Sequence, residues 1–258
     1  MSLFGRRKMK YHIYNIDESK PLQQGDPHAP QWPFRMLLAG SSGSGKTNML
    51  VDLLLGDKLI ETYHNRKGGK RYIPCNDIVL IGKHLEEPKW KIVQDFYELL
   101  AQDSGSNYED VSFTAYTPDE IPDVLDFSPD RSTVVVFEDL INENQKIQNQ
   151  IAPYFTSGRH GNISPVYITQ SFYRAPKIIW ENLTHIALHK GGASLRDLKR
   201  IVSEYTEYSD IIVQKIYKKL QDHEFIVFDL RRSYSDPLAI RHRWDLPLLD
   251  EKIIDHEA

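Results

Sequence analysis

The chain has 258 residues and is 40% hydrophobic, enough for one large domain or two small ones with a substantial core and unlike a disordered composition. Its net charge of −4 weighs against a small, uniformly basic nucleic-acid binder, and its single cysteine, Cys75, excludes an internal disulfide framework and a cysteine-based zinc site, as fits a reducing compartment. There is no run of 18 apolar residues to span a membrane, and no secretory signal, because the basic start Met1–Lys10 is not followed by an apolar stretch. Charge is uneven: His64–Arg71 is a basic tract, and the chain after Leu248 is acidic.

Short β-branched runs alternate with longer helical segments, which predicts crossovers and a mostly parallel, buried sheet. Tyr11–Ile16 is a candidate edge strand. The first strong strand is Arg35–Ala39, followed by a helix over Lys46–Ile60 whose apolar content suggests burial on more than one face. A second strand, Asp77–Gly82, precedes a helix over Pro88–Gln102, with Pro88 suited to the first turn. Thr117-Pro118-Asp119-Glu120 has the cap, proline and acids of a short helix start. The third strand, Thr133–Phe137, ends in Glu138-Asp139. A helix over Asn144–Ser157 carries Ile147, Ile151, Tyr154 and Phe155 on one stripe. Strands follow at Pro165–Thr169 and His185–His189, then a helical region over Ser194–Lys219 with a break near Tyr205–Ser209. A last strand, Glu224–Leu230, precedes an irregular end. The expected organisation is an N-terminal arm or edge strand (1–30), a main α/β domain (31–235) and a C-terminal tail (236–258).

The domain takes its expected activity from Gly40-Ser41-Ser42-Gly43-Ser44-Gly45-Lys46-Thr47, which matches G-x-x-x-x-G-K-[ST] at every fixed position between a strand and a helix. Its glycines permit turns that aim backbone N–H groups at phosphates, and the helix N-terminus adds positive partial charge. Lys46 would reach the β- and γ-phosphates and the Thr47 hydroxyl would ligate Mg²⁺; the nucleotide-binding set extends through Asn48. The bland alternative, a Gly/Ser-rich turn, does not require this spacing.

A carboxylate at a neighbouring strand end, holding Mg²⁺ through water, is the second requirement. Glu138-Asp139 supplies two acids, and a pair suggests hydrolysis, with Glu138 assigned to the metal and Asp139 to the attacking water; the reverse assignment stays open. Gln170, at the tip of the fourth strand, is a candidate γ-phosphate sensor. Arg159 ends a helix, where a cation often only compensates the dipole; read functionally it is an arginine finger, with Arg174 the rival. A finger acting on a neighbour's nucleotide requires an oligomer.

Taken together, Gly40–Thr47, Val134–Asp139, Thr156–His160 leading into Val166–Ser171, Arg174–Lys177 and Glu181–His185 resemble the poxvirus-type genome-packaging ATPases of large DNA viruses, within the FtsK–HerA class of P-loop DNA pumps. The resemblance runs from about Trp32 to Lys190, with looser support to Leu230. It implies a RecA-like α/β fold with helices on both sheet faces and an extra strand between the phosphate-loop strand and the acidic strand. It implies ATP and Mg²⁺ as ligands, and double-stranded DNA, a ring of identical subunits and a capsid or portal vertex protein as partners. The location implied is host cytoplasm, a virus factory or the virion. By this match Lys46, Thr47, Glu138, Asp139, Arg159 and Gln170 inherit their roles; the acidic pair departs from the pattern in beginning with Glu. Arg66–Arg71 and the helical face of Arg196, Lys199 and Arg200 are candidate DNA contacts, or merely solvated surface. The main rival is a P-loop kinase acting on a nucleotide or other small molecule, which would need an Arg-rich lid that is not evident.

Overall fold

The computed structural model describes residues 25–105, 108–204, 209–233 and 235–248. The candidate strand Tyr11–Ile16 and the acidic end after Leu248 lie outside them.

A nine-stranded sheet forms the middle of the molecule. Six strands are parallel, in spatial order β3 (Ser112–Tyr116), β2 (Asp77–Gly82), β4 (Thr133–Glu138), β5 (Ile163–Thr169), β1 (Met36–Ala39) and β6 (His185–His189). Three antiparallel strands extend the edge beyond β6: β7 (Phe225–Asp229), β8 (Ile240–His242) and β9 (Leu246–Pro247). The expected inserted strand is therefore β5, which pairs with β1 on one side and β4 on the other.

β1 is Met-Leu-Leu-Ala with every residue buried, because helices cover both faces. Alternation splits its side chains between the two layers. Met36 and Leu38 join the core under α1 (Lys46–Leu55) and α3 (Pro88–Gln102), with Leu50, Leu54, Trp90, Val93 and Tyr97. Leu37 and Ala39 join the opposite core, with Ile151, Tyr154 and Phe155 of α4 (Gln145–Thr156), Ile179 of α5 (Lys177–Trp180), and residues of α6 (Leu195–Ser203) and α7 (Ser209–Lys219). The start of α4 is fixed by Asn144, whose side-chain oxygen accepts from the Ile147 N–H at 3.1 Å.

Four expectations are corrected. The helix expected over Lys46–Ile60 breaks at Gly56: α1 stops at Leu55, and α2 (Lys58–Tyr63) begins after a turn. Gly56 has φ 57°, and a Cβ there would lie 1.9 Å from the Lys70 carbonyl oxygen, so the close approach of the returning chain requires glycine. Ser112–Tyr116 forms an edge strand that the pattern did not announce. The Thr117 segment gives only single turns, Pro118–Glu120 and Val124–Asp126, each with a reciprocal cap. The sheet runs past residue 235, since β8 and β9 pair beyond β7 in what reads as an irregular tail.

Candidate active site

In a parallel sheet the loops after the strands gather at the carboxyl ends, and the candidate residues meet there. The turn after β1 carries the phosphate loop. Gly45, at φ 95°, hands the chain into α1 with its first N–H groups facing outward. β4 ends in Glu138-Asp139, β5 ends just before Gln170, and both strands are neighbours of the loop through the β4–β5–β1 order. One cavity of about 210 Å³ is lined by Ser42, Gly43, Gly45, Lys46, Thr47 and Asn48 from the loop and by Glu138, Asp139 and Gln170 from the two strand ends. Gly40, Ser41 and Ser44 complete the turn behind it.

Within the cavity, the Thr47 hydroxyl donates to Glu138 Oε1 at 2.8 Å. The other carboxylate oxygen, Oε2, accepts from the Trp90 indole N–H of α3. Both oxygens of Glu138 are thus held by groups from different elements. Burial pushes the Glu138 carboxyl above its usual range, and the Trp90 and Thr47 hydrogen bonds offset part of that rise. Lys46 Nζ donates to the carbonyls of Gly40 at 2.7 Å and Ser41 at 3.0 Å. Burial lowers the Lys46 pKa; the Asp139 carboxylate opposes the shift, the Lys89 cation adds to it, and Glu138 opposes it. Asp139 is exposed and sits at φ 57°, a left-handed conformation that Asp tolerates better than most residues. Its N–H donates to the Ile168 carbonyl at 3.2 Å, which turns the chain off β4 beside β5.

The donor set suits Mg²⁺. A hydroxyl and a carboxylate oxygen already lie in contact, and among the described residues no group of three or more His, Cys, Asp and Glu forms a protein-only cage. An ion held by two protein oxygens, with phosphate and water completing the sphere, is the usual habit of Mg²⁺.

Several cavity residues escaped sequence reasoning. Lys83, His84 and Glu87 come from the segment joining β2 to α3, Lys89 from the first turn of α3, and His223 from the turn before β7. Behind the loop, His189 Nδ1 lies 3.1 Å from the Ser44 carbonyl, and burial pushes its pKa down to about 4. Lys89 and Trp90 follow a strand end in a parallel sheet, a positional signal available in the sequence; His189 and His223 carry none.

Arg159 is not in this cavity. It lies in the turn Gly158–Gly161 that precedes β5, at the amino end of the strands, whereas the phosphate loop follows the carboxyl end of β1. Arg174 is at the carboxyl end, where its guanidinium donates to Asn142 Oδ1 at 2.7 Å. The basic tract loses a member to the interior. Arg71 is 5% exposed and donates to the Cys75 carbonyl, the Tyr97 hydroxyl and Glu109. In α6, Arg200 lies over the Tyr173 ring and Lys199 pairs with Asp210 at 2.7 Å.

No protein-family model and no curated protein matches the sequence. Among solved structures, the chain is similar to the genome-packaging NTPase B204 of Sulfolobus turreted icosahedral virus 2 in complex with ATP-gammaS. That likeness has a TM-score of 0.51 at 16% identity and covers 84% of this chain and 98% of that one. The DNA-packaging ATPase B204 of Sulfolobus turreted icosahedral virus gives a TM-score of 0.50 at 14% identity, covering 82% and 97%. With the phosphate loop, the inserted β5 and the acidic end of β4 in place, the chain shares the mixed α/β fold of these NTPases.

Proposed function

We propose that the protein is an Mg²⁺-dependent ATPase whose hydrolysis drives double-stranded DNA into a viral capsid. The observation that carries the hydrolytic part is the Thr47–Glu138 contact, which joins the phosphate loop to the acidic strand, with Asp139 and Gln170 lining the same cavity. Thr47 and Glu138 would hold Mg²⁺, which would supply positive charge against the phosphates during hydrolysis. Lys46, released from the Gly40 and Ser41 carbonyls, would donate to the β- and γ-phosphates. Asp139, exposed in the cavity and free of the Thr47 contact, is the better placed of the two acids to orient and deprotonate the attacking water. Gln170, which lines the same cavity, would distinguish a triphosphate from a diphosphate. Arg159 is at the wrong end of the sheet for its own nucleotide, so a finger role places it against the site of the next subunit. Head-to-tail contact of that kind generates a ring.

DNA as the load rests on the sequence resemblance and on a fold shared with proteins described as packaging ATPases. A capsid or portal vertex protein as the docking partner, and the host cytoplasm, a virus factory or the virion as the location, follow from the same reading. The test is product analysis with Mg-ATP, with and without duplex DNA and with a nucleoside monophosphate present. Inorganic phosphate released faster with duplex DNA is expected. Transfer of the γ-phosphate to the monophosphate, indifferent to DNA, would overturn the proposal in favour of a kinase.

A further inference from the structure

A second cavity, of about 680 Å³, adjoins the phosphate cavity and shares Gly45, Asn48 and His223 with it. Its walls differ in chemistry. Met49 and Leu53 of α1 form an apolar side, and Phe225 and Trp244 form an aromatic one, with ring centroids 6.0 Å apart. His189 stacks on Phe225 at 5.1 Å and 25°. Asp52 lies four residues after Asn48 on α1, hence on the same helix face, and adds a carboxylate further from the loop.

Two polar atoms beside this wall have no hydrogen-bond partner among the described residues: His189 Nε2 and Trp244 Nε1. The Ser44 carbonyl can only accept, so His189 Nδ1 carries the proton and Nε2 is an acceptor; Trp244 Nε1 is a donor. A flat apolar wall with one acceptor, one donor and a carboxylate suits a heteroaromatic ring with polar edges, and the volume is in the range of cofactor sites.

We propose that this cavity holds the base and ribose of the nucleotide, with a purine stacked against the Phe225–Trp244 wall and the α-phosphate passing Asn48. The assignment rests on the triphosphate reading of Gly40–Thr47 and adds to it a second, separable binding element. The strand pair β7–β8 and the turn after it thereby become part of the nucleotide site. The antiparallel extension of the sheet supplies the wall that the parallel core lacks.

The test compares binding of Mg-ATP and of inorganic tripolyphosphate with Mg²⁺, by calorimetry, to the full chain and to two variants. Tripolyphosphate probes the phosphate cavity alone. The wild type should bind ATP about tenfold or more tightly than tripolyphosphate, since stacking of a base on an aromatic side chain contributes on that scale. Trp244→Ala should weaken ATP about tenfold and leave tripolyphosphate within about twofold. Asp52→Trp, at an exposed helix position, fills the cavity without removing a packed ring and should act in the same direction. Equal affinity of the wild type for ATP and tripolyphosphate overturns the proposal, as does unchanged ATP affinity in both variants. In those cases retained tripolyphosphate binding leaves the phosphate-loop reading standing. Failure of the wild type to bind either ligand overturns that reading and this proposal together.

Discussion

The two ends of the parallel sheet are both polar, but they treat charge in opposite ways. At the amino end, Asp229 is buried between His185 Nε2 at 3.5 Å, Arg232 Nε at 3.0 Å and Arg241 Nη2 at 3.5 Å. Burial alone would raise its pKa, but the His185 hydrogen bond and the flanking cations hold the carboxyl well below the usual range. At the carboxyl end the shifts run the other way: burial raises Glu138 and lowers Lys46, so each resists its charged form. A network whose charges are paired among its own members serves the fold. A cation and a carboxylate held partly desolvated in an open cavity are poised for an outside ligand of complementary charge, which in the proposed function is a magnesium–triphosphate complex.

Breaking the amino-end network should have the largest effect on stability. Asp229→Asn leaves the Arg241 guanidinium, 1% exposed, with its counter-charge removed, and should cost about 3–5 kcal/mol in urea unfolding. The sign with pH follows from the direction of the shift. A depressed folded pKa contributes stability that is present above the unfolded value, about 4, and is lost as pH falls through the folded value. Wild-type stability should therefore decline in acid, and the variant should show a shallower decline.

At the other end, the contrast predicts lost function with little lost stability. Lys46→Ala should reduce ATP turnover by about 10²–10³-fold while its unfolding midpoint stays close to that of the wild type. A large loss of stability would mean that Lys46 serves the fold as Asp229 does, and would erase the distinction between the ends.

A smaller effect sharpens the comparison within the site. Trp90→Phe removes the donor to Glu138 Oε2 and should lower Mg-dependent turnover by about tenfold, as loss of a ligand's supporting partner does. Because that donor holds the Glu138 pKa down, its removal should also shift the acid limb of the pH–rate profile to higher pH. A fall in rate with the acid limb unmoved would show that Trp90 acts only through packing.

The contrast between the ends also explains what was legible in the sequence. The parallel core was readable because a strand buried on both faces is a continuous apolar run; Asp77–Gly82, Pro88–Gln102 and His185–His189 have the expected bounds. Ser112–Tyr116 was not, because as an edge strand it keeps Ser112, Thr114 and Ala115 exposed and has no apolar run to betray it. Strands β8 and β9 are three and two residues long and exist only by pairing in turn onto β7 and β8. The break at Gly56 was hidden because Leu54-Leu55 and Leu59-Ile60 continue an apolar pattern on both sides, while its cause is a carbonyl 14 residues later in the chain, at Lys70. In the site, the phosphate loop was legible because its residues are contiguous and its backbone is the ligand. Lys89 and Trp90 carried only their position after a strand end, and His223 no signal at all, because their roles arise only where the strand ends converge. Asp229 and its arginines were equally silent, since no local pattern distinguishes a buried ion network from surface charge.

The measurement that tests the account most directly is the rate of Mg-ATP hydrolysis per subunit, followed across protein concentrations at which assembly size is monitored, with and without duplex DNA. The account predicts a rate that rises as subunits assemble, rises further with duplex DNA, and is lost in Lys46→Ala; it predicts that Arg159→Ala subunits bind ATP yet depress mixed assemblies more than in proportion to their number. A rate per subunit that is the same for monomer and assembly and is indifferent to duplex DNA would contradict it.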